Sequence, residues 1–172
     1  MRSGNLIHRA SFVFLFNSSG RLFVQKRVAW KETYASHFDP APGGVVGAGE
    51  SYEANAAREL EEEMGVPLAI GERAAPLFDF FFEDALTRVW GRAFRCVYDG
   101  EIRLQAEEVE SGEFMPLADV ARLVAQAPVC PDSAAAFARL LELDAAAGGG
   151  RASLVEEAAG ETRSGATAKR QS

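Results

Sequence analysis

Length and composition place the chain among soluble globular proteins. It has 172 residues, of which 48% are hydrophobic and 25% are charged, and this is enough for one domain with a sizeable core. The formal net charge of −7 excludes a global basic field that would draw the protein onto nucleic acid or an anionic membrane.

The first predicted element is a β-hairpin. Ser11–Asn17 is an aromatic, apolar run, a Ser-Ser-Gly turn signal follows it, and Arg21–Arg27 alternates from apolar to charged residues. We interpret residues 1–10 as an N-terminal extension. Val28–Pro42 has no clean period, so we expect a loop there that is available for ligand contacts.

A glycine-rich loop and a helix come next. Four glycines fall within Gly43–Gly49, which predicts a sharp loop with close backbone approach. Ser51 suits the N-cap of a helix that runs to Met64, and Gly65 suits its C-cap. A core-facing stripe recurs every four residues, at Ala56, Leu60 and Met64.

The second half of the chain predicts a hairpin, a short strand and two helices. The hairpin strands are expected at Leu77–Phe82 and Thr87–Tyr98, the short strand at Glu113–Pro116, and the helices at Leu117–Ala125 and Ser133–Leu143. Strands interrupted by one central helix, with helices at the end, predict an α+β fold or a mixed α/β/α sandwich.

The tail, the cysteines and the lack of targeting signals indicate one cytoplasmic domain. Gly148–Ser172 has almost nothing to bury, so we predict a disordered C-terminal tail and a folded domain of residues 11–147. Cys96 and Cys130 lack the spacing of a zinc site, which favours two free thiols in a reducing cytoplasm. The sequence contains no secretory signal and no apolar run of membrane-spanning length.

The predicted central helix carries a cluster of carboxylates. Glu59, Glu62 and Glu63 stand at i, i+3 and i+4, so their side chains converge on one helical face. Carboxylates this close repel one another, which raises at least one pKa and destabilises the helix unless a divalent cation neutralises them. Oxygen ligands select hard cations, so Mg²⁺ or Mn²⁺ is the expected metal, and the Gly43 carbonyl is a candidate further ligand.

The residues around this cluster have supporting positions. Leu60 points into the core and anchors the helix. Arg58 sits one turn before Glu62 and is within reach of Glu50, so we expect it to orient a carboxylate rather than touch the substrate. An acidic helix face is usually just solvated, but Gly44–Val66 fixes two glycines, four glutamates, one arginine and two apolar positions. A chance match to that pattern is on the order of one in ten million.

At these residues the sequence resembles the Nudix hydrolase family, whose signature it matches at every defined position of Gly44–Val66. The resemblance implies the Nudix fold, a mixed β-sheet with a central catalytic helix, and hydrolysis of a nucleoside diphosphate linked to another group. The metal ligands that it implies are Glu59, Glu62 and Glu63. The supporting pair that it implies is Arg58 and Glu50. We therefore expect Arg58, Glu62 and Glu63 to act in catalysis.

A carboxylate outside the signature often acts as general base or as an extra metal ligand in this family. The candidates here are Glu107, Glu108 and Glu110, just before the last predicted strand. We favour Glu108, and a solvated acidic loop is the alternative for each of the three. Glu83, at the tip of the second hairpin, is a weaker candidate.

Substrate contacts are expected outside the signature. Arg27 and Lys31 are candidates for phosphate binding. The candidates for stacking on a base are Tyr34, Phe80, Phe82 and Trp90. Strand alternation places Phe78, Phe80 and Phe82 on one face and Phe81 on the other, so one of these sets belongs to the core.

The expected partner is a small nucleotide, such as a nucleoside di- or triphosphate, bound by a monomer or homodimer. Nucleotide sugars, dinucleoside polyphosphates and capped RNA ends stay open, whereas a membrane or long nucleic acid is not expected. Asp39–Gly44 and Val89–Gly91 also resemble isopentenyl-diphosphate isomerases, but residues 31–49 lack the required cysteine and hold only His37. A non-catalytic, nucleotide-sensing Nudix domain is the other alternative, although such domains usually lose signature carboxylates.

Overall fold

The computed structural model describes residues 6–148. Its first hairpin joins β1, Ile7–Phe16, to β2, Leu22–Arg27. Gly20 in the turn has a φ of 75°, a left-handed conformation that glycine adopts without steric cost. The predicted hairpin is therefore present, but β1 begins before Ser11 because its first residues pair with a strand from later in the chain.

Within the described residues, a mixed six-stranded sheet forms the centre of the domain. β1 pairs in parallel with β5, Arg88–Val97, and β5 pairs antiparallel with β4, Ala75–Glu83. β2 pairs antiparallel with the two-residue β3, Phe38–Asp39, and with β6, Val109–Met115. The strand order is β3-β2-β1-β5-β4, with β6 joined to β2.

Helices cover both faces of this sheet. One face carries α1, Tyr52–Met64, and the short α2, Leu68–Gly71. The other face carries α3, Leu117–Gln126, and α4, Pro131–Gly148. The prediction of an α+β fold arranged as an α/β/α sandwich is confirmed.

β1 divides the core because alternate residues of a strand face opposite sides of a sheet. Its aromatic residues on the α3 and α4 side are Phe12, Phe14 and Phe16, all buried. On the other side Val13 and Leu15 are fully buried in a cluster that includes Leu60 of α1. Since Leu60 fixes α1 to the sheet, the opposite side of this helix is available to carry charge.

The two ends of α1 are capped as the sequence predicts. The Ser51 hydroxyl accepts a hydrogen bond from the Ala54 amide at 3.1 Å. Gly65 closes the helix with a φ of 66°, and its N–H donates to the Glu61 carbonyl at 3.0 Å. The helix that carries the carboxylate cluster is therefore defined at both ends by local sequence.

Some element boundaries differ from the prediction. The loop expected at Val28–Pro42 contains β3, and α2 has no counterpart in the sequence prediction. β6 begins at Val109 rather than Glu113 because its first residues pair with β2. Strand pairing, which local patterns do not report, accounts for β3 and for the earlier start of β6.

The C-terminal helix is also longer than predicted. α4 begins at Pro131, shortly before Ser133, and ends at Gly148. The predicted disordered tail, apart from Gly148 itself, lies outside the described residues. No helix among residues 6–148 is long and apolar enough to cross a membrane.

Candidate active site

A cavity of about 570 Å³ lies at the end of the sheet where β1 begins. Its walls come from β1, the glycine-rich loop, α1, the loop after β2 and the start of α4. Acidic and basic residues in this lining are Arg27, Lys31, Glu32, Asp39, Glu59, Glu62, Glu63, Glu108 and Asp132. Side chains from distant parts of the sequence therefore share one cavity.

One wall of the cavity, the α1 wall, consists of Glu59, Glu62 and Glu63. Glu63 is 8% exposed, and its Oε2 accepts a hydrogen bond from Gln25 Nε2 at 3.2 Å. Burial raises the pKa of Glu63 to about 7, and the nearby negative charge of Asp39 adds to the effect. Burial also raises the pKa of Glu59. Burial in the α1 wall therefore disfavours the ionised form of both carboxylates.

Arg58 links three carboxylates at the outer side of the α1 wall. Its Nε donates to Glu50 at 3.0 Å, and its terminal nitrogens lie 3.0 Å from Glu59 and from Glu62. Hydrogen bonds from Arg58, and after it from the Gly47 amide, lower the pKa of Glu50 to about 2. The contact between Arg58 and Glu50 is thus present as expected, and the catalytic role of Arg58 stays a prediction.

The glycine-rich loop runs beside β1 and brings backbone against the α1 wall. The carbonyls of Pro42 and Gly44 accept hydrogen bonds from Val13 and Ser11 at 2.9 and 3.0 Å. Because successive carbonyls of an extended chain point in opposite directions, the Gly43 carbonyl is directed away from β1. A Cβ on Gly44 would lie 2.2 Å from the Glu59 carboxylate, so only glycine allows this approach.

The α1 wall suits a divalent cation by its donor chemistry. Carboxylate oxygens are the donors that Mg²⁺ and Mn²⁺ prefer, and burial raises the pKa values of Glu59 and Glu63, so a bound cation would stabilise their ionised forms. Among residues 6–148, no three histidine, cysteine, aspartate or glutamate side chains already converge as a metal site. Arg58 holds Glu62 and Glu59 instead. The residues fit the ion, and the ligand set stays a prediction.

The three candidate general bases occupy different places. Glu108 lines the cavity and forms an ion pair with Lys31. Glu110 lies in β6 and pairs with Lys26 at 3.0 Å, and neither Glu107 nor Glu110 belongs to the lining. The geometry therefore brings only Glu108 of these three to the α1 wall. Glu83, the weaker candidate, pairs with Arg88 at 2.9 Å outside the lining.

Three of the predicted substrate contacts line the cavity, namely Arg27, Lys31 and Tyr34. The Tyr34 hydroxyl donates to Asp84 at 2.6 Å, and this bond ties the loop after β2 to the β4–β5 turn. Tyr34 has a φ of 51°, which is uncommon for a residue with a side chain. The bond and the unusual backbone fix the position of this ring beside the cavity.

The predicted stacking roles of Phe80 and Trp90 do not agree with their positions. Phe80 is 8% exposed and packs in the core, with its ring centroid 5.0 Å from that of Phe12. Trp90 is 50% exposed but packs on Phe81 outside the cavity lining. Phe82 also packs against the core. Alternation had identified the two faces of β4, but only the assembled sheet shows that neither face meets the cavity.

A second part of the lining, the far wall, was not predicted as part of the site. It consists of Asp39, Cys130, Asp132 and Ser133. Burial raises the pKa of Asp39 and raises that of Asp132 to about 6. Burial likewise raises the pKa of Cys130, so its thiol stays protonated. The only sequence signal was an acidic residue at the start of the last helix, which is equally typical of a simple helix cap.

The sequence matches that of a known protein family. A sequence model of the NUDIX domain matches residues 6–140. An uncharacterized Nudix hydrolase of Pseudomonas aeruginosa is 40% identical over 142 residues, which cover 83% of this chain and 82% of that protein. The match to the NUDIX domain includes the residues of both the α1 wall and the far wall.

Solved structures have the same fold. DR0079 from Deinococcus radiodurans superposes with a TM-score of 0.68 at 26% identity, covering 81% of this chain and 88% of that chain. The NUDIX domain of Shewanella oneidensis NrtR, solved in complex with ADP ribose, gives a TM-score of 0.61 at 19% identity, covering 82% and 89%. At 19% identity the likeness concerns the fold alone.

Proposed function

The chain belongs to the Nudix hydrolase family, and we propose that it hydrolyses a diphosphate linkage in a nucleoside di- or triphosphate or a related nucleotide derivative. Water attacks phosphorus in this reaction. The observation that carries the proposal is the composition of one cavity, which holds the carboxylates of the α1 wall, a further carboxylate at Glu108, and the cations Arg27 and Lys31.

The α1 wall provides the metal site of the proposal. Glu59, Glu62 and Glu63, with the Gly43 carbonyl, would hold Mg²⁺ or Mn²⁺. A bound ion supplies Lewis-acid chemistry, which lowers the pKa of water and offsets the charge that develops on the diphosphate. Leu60 keeps the helix fixed to the sheet, so only the side chains of Glu59 and Glu62 must leave Arg58 to reach a bound ion.

Glu108 and the two cations have separate roles in this proposal. Glu108 takes the proton of the attacking water, since it is the candidate base that lines the cavity. Lys31 pairs with Glu108, which keeps its ammonium group at the place where a phosphate enters. Arg27 also belongs to the lining, and its Nε is buried without a hydrogen-bond partner among residues 6–148. A phosphate oxygen would satisfy that donor.

The size of the cavity and the comparisons support a small nucleotide as substrate. A volume of about 570 Å³ is within the usual range for small-molecule sites. The negative net charge of −7 disfavours long nucleic acid. The related NrtR domain binds ADP ribose, a nucleotide derivative with an internal diphosphate.

An isomerase is less well supported by the same cavity. The cysteine in its lining is Cys130, whose raised pKa keeps the thiol protonated and so prevents it from acting as a strong nucleophile. The chain has two histidines in total, of which His8 lines the cavity and His37 does not. His37 Nδ1 lies 2.9 Å from the backbone carbonyl of Ala35. The carboxylates of the signature are all retained, which favours hydrolysis over sensing.

A substrate panel tests the proposed reaction. The purified protein is incubated with nucleoside di- and triphosphates, ADP ribose, nucleotide sugars and dinucleoside polyphosphates, each with Mg²⁺, with Mn²⁺ and with a chelator. We expect metal-dependent hydrolysis of at least one of them, and ¹⁸O-labelled water identifies which phosphorus is attacked. Tight nucleotide binding without turnover of any diphosphate would contradict the proposal and support a sensing domain.

A further inference from the structure

A buried amide lies directly behind the α1 wall. Gln25 of β2 is 2% exposed, and its side chain lies on the side of the sheet that faces α1. Its neighbour on that side, Phe23, belongs to the apolar cluster that holds Leu60. The only polar side chain to which Gln25 is hydrogen-bonded in the described structure is Glu63, with 3.2 Å between Gln25 Nε2 and Glu63 Oε2.

The amide at this position is unfavourable for folding alone. Gln25 Oε1 is buried and has no hydrogen-bond partner among the described residues. A buried acceptor without a partner is costly, and an apolar side chain of the same length would avoid that cost. Folding alone therefore does not explain a glutamine at this position, and its hydrogen bond to Glu63 indicates another role.

That hydrogen bond restricts the orientation of Glu63. A carboxylate at the end of a glutamate rotates easily unless one of its oxygens is held. With Oε2 bound by Gln25, the other oxygen is directed to the cavity that Glu63 lines. Hydrogen bonds from outside a metal site orient its ligands in this way in many proteins.

We propose that Gln25 is a positioning residue, which holds Glu63 so that its free oxygen faces the divalent cation. This inference rests on the proposed metal site. Gln25 itself contacts neither the cation nor the substrate. Its effect passes through Glu63, so it disappears when Glu63 can no longer act as a ligand.

A double-mutant cycle in Mn²⁺ binding tests this dependence. Mn²⁺ affinity is measured without nucleotide, by electron paramagnetic resonance and calorimetry, for the wild type, Gln25→Met, Glu63→Gln and the double variant. Methionine has nearly the same length as glutamine and no amide. We expect Gln25→Met to weaken Mn²⁺ binding about tenfold in the wild-type background and less than about twofold in the Glu63→Gln background.

The thermal stability of the same variants separates positioning from folding. Gln25→Met removes a buried acceptor without a partner and also the donor to Glu63, two effects of opposite sign, so we expect it to unfold near the temperature of the wild type. Gln25→Leu serves as a second apolar variant, with the same expectation. Unchanged Mn²⁺ affinity in a folded Gln25→Met or Gln25→Leu protein would overturn the inference, as would equal losses in both backgrounds.

The cycle also distinguishes this inference from the proposed function. If Glu63→Gln leaves Mn²⁺ binding unchanged, the assigned metal site is wrong. If Glu63→Gln weakens binding and Gln25→Met does not, the metal site stands and only the positioning role of Gln25 is wrong.

Discussion

The two walls of the cavity contain the same kind of group in different surroundings. Both hold buried carboxylates whose pKa is raised, Glu63 in the α1 wall and Asp132 in the far wall. Arg58 stands beside the α1 wall with three carboxylate contacts. At the far wall, the strongest charge acting on Asp132 is the like charge of Asp39.

This difference shows how the groups around a carboxylate determine what it can bind. In the α1 wall, Arg58 compensates part of the charge of Glu59 and Glu62, and a bound cation would compensate that of Glu63 in its ionised form. In the far wall, burial and the like charge of Asp39 raise the pKa of Asp132, as they do that of Glu63, but Asp132 belongs to no proposed metal site. Replacing a carboxylate by its amide should therefore lower turnover in the α1 wall and change stability in the far wall.

The largest expected effect comes from neutralising the α1 wall. Glu63→Gln removes a charged ligand while keeping the side-chain shape, so we expect kcat/KM to fall by roughly 100- to 1,000-fold with the fold retained. Steady-state kinetics on the best substrate of the panel measure this loss. Glu61→Gln makes the same change at an exposed position of α1 and should leave kcat/KM unchanged. Near-normal activity of Glu63→Gln would refute its role as a ligand.

A smaller loss is expected when the approach of the glycine-rich loop is blocked. Gly44→Ala adds a Cβ 2.2 Å from the Glu59 carboxylate, which must then move from its place. We expect activity to fall about tenfold and the Mg²⁺ requirement to rise, since a displaced ligand binds the ion less well.

Gly47→Ala is the matched control for this substitution. Its added Cβ lies 3.4 Å from the nearest atom, at Glu50, which is an ordinary contact. The same Mg²⁺ titration should therefore give a nearly normal curve. Equal losses in the two variants would mean that loop rigidity matters rather than contact with Glu59.

In the far wall, a change of charge should alter stability. The pKa of Asp132 is raised from 3.8 to about 6, so the folded state holds its proton more tightly than the unfolded state. The wild type then loses stability as pH rises from about 4 to about 6, and not beyond. Asp132→Asn removes this loss, so we expect a gain of up to about 3 kcal/mol at pH 8 that vanishes below about pH 4.

Denaturant unfolding at several pH values measures this difference. Asp132→Asn should resemble the wild type at low pH and exceed it at high pH. A variant that is less stable than the wild type at pH 8 would show that the Asp132 carboxylate is charged and stabilising in the folded protein.

The smallest expected effect is on substrate affinity at the loop after β2. Tyr34→Phe removes the hydrogen bond to Asp84, worth about 1 kcal/mol. We expect KM to rise about fivefold with little change in kcat, because the loop borders the cavity and does not carry the reacting groups. Tyr98→Phe, outside the cavity lining, should leave KM unchanged. A fall in kcat with KM constant would contradict this division of roles.

The sequence by itself determined the α1 wall and most of the elements around it. Ser51, Gly65 and the apolar stripe through Leu60 define α1 locally, and a helix of fixed geometry places Glu59 and Glu63 on one side. The contact between Arg58 and Glu50 was also predicted from the short spacing of these two residues in the sequence. The strands around α1 were also evident from alternation, although their ends were not.

Only the tertiary structure decided what faces the α1 wall. Asp39 and Asp132 are distant in sequence and meet because β3 and the start of α4 reach the same end of the sheet. Phe80 does not reach the site because β4 buries the face on which it lies. Gln25 contacts the site because β2 passes beneath Glu63. Periodicity within one segment reports which side of an element is buried, but not which other segment covers it.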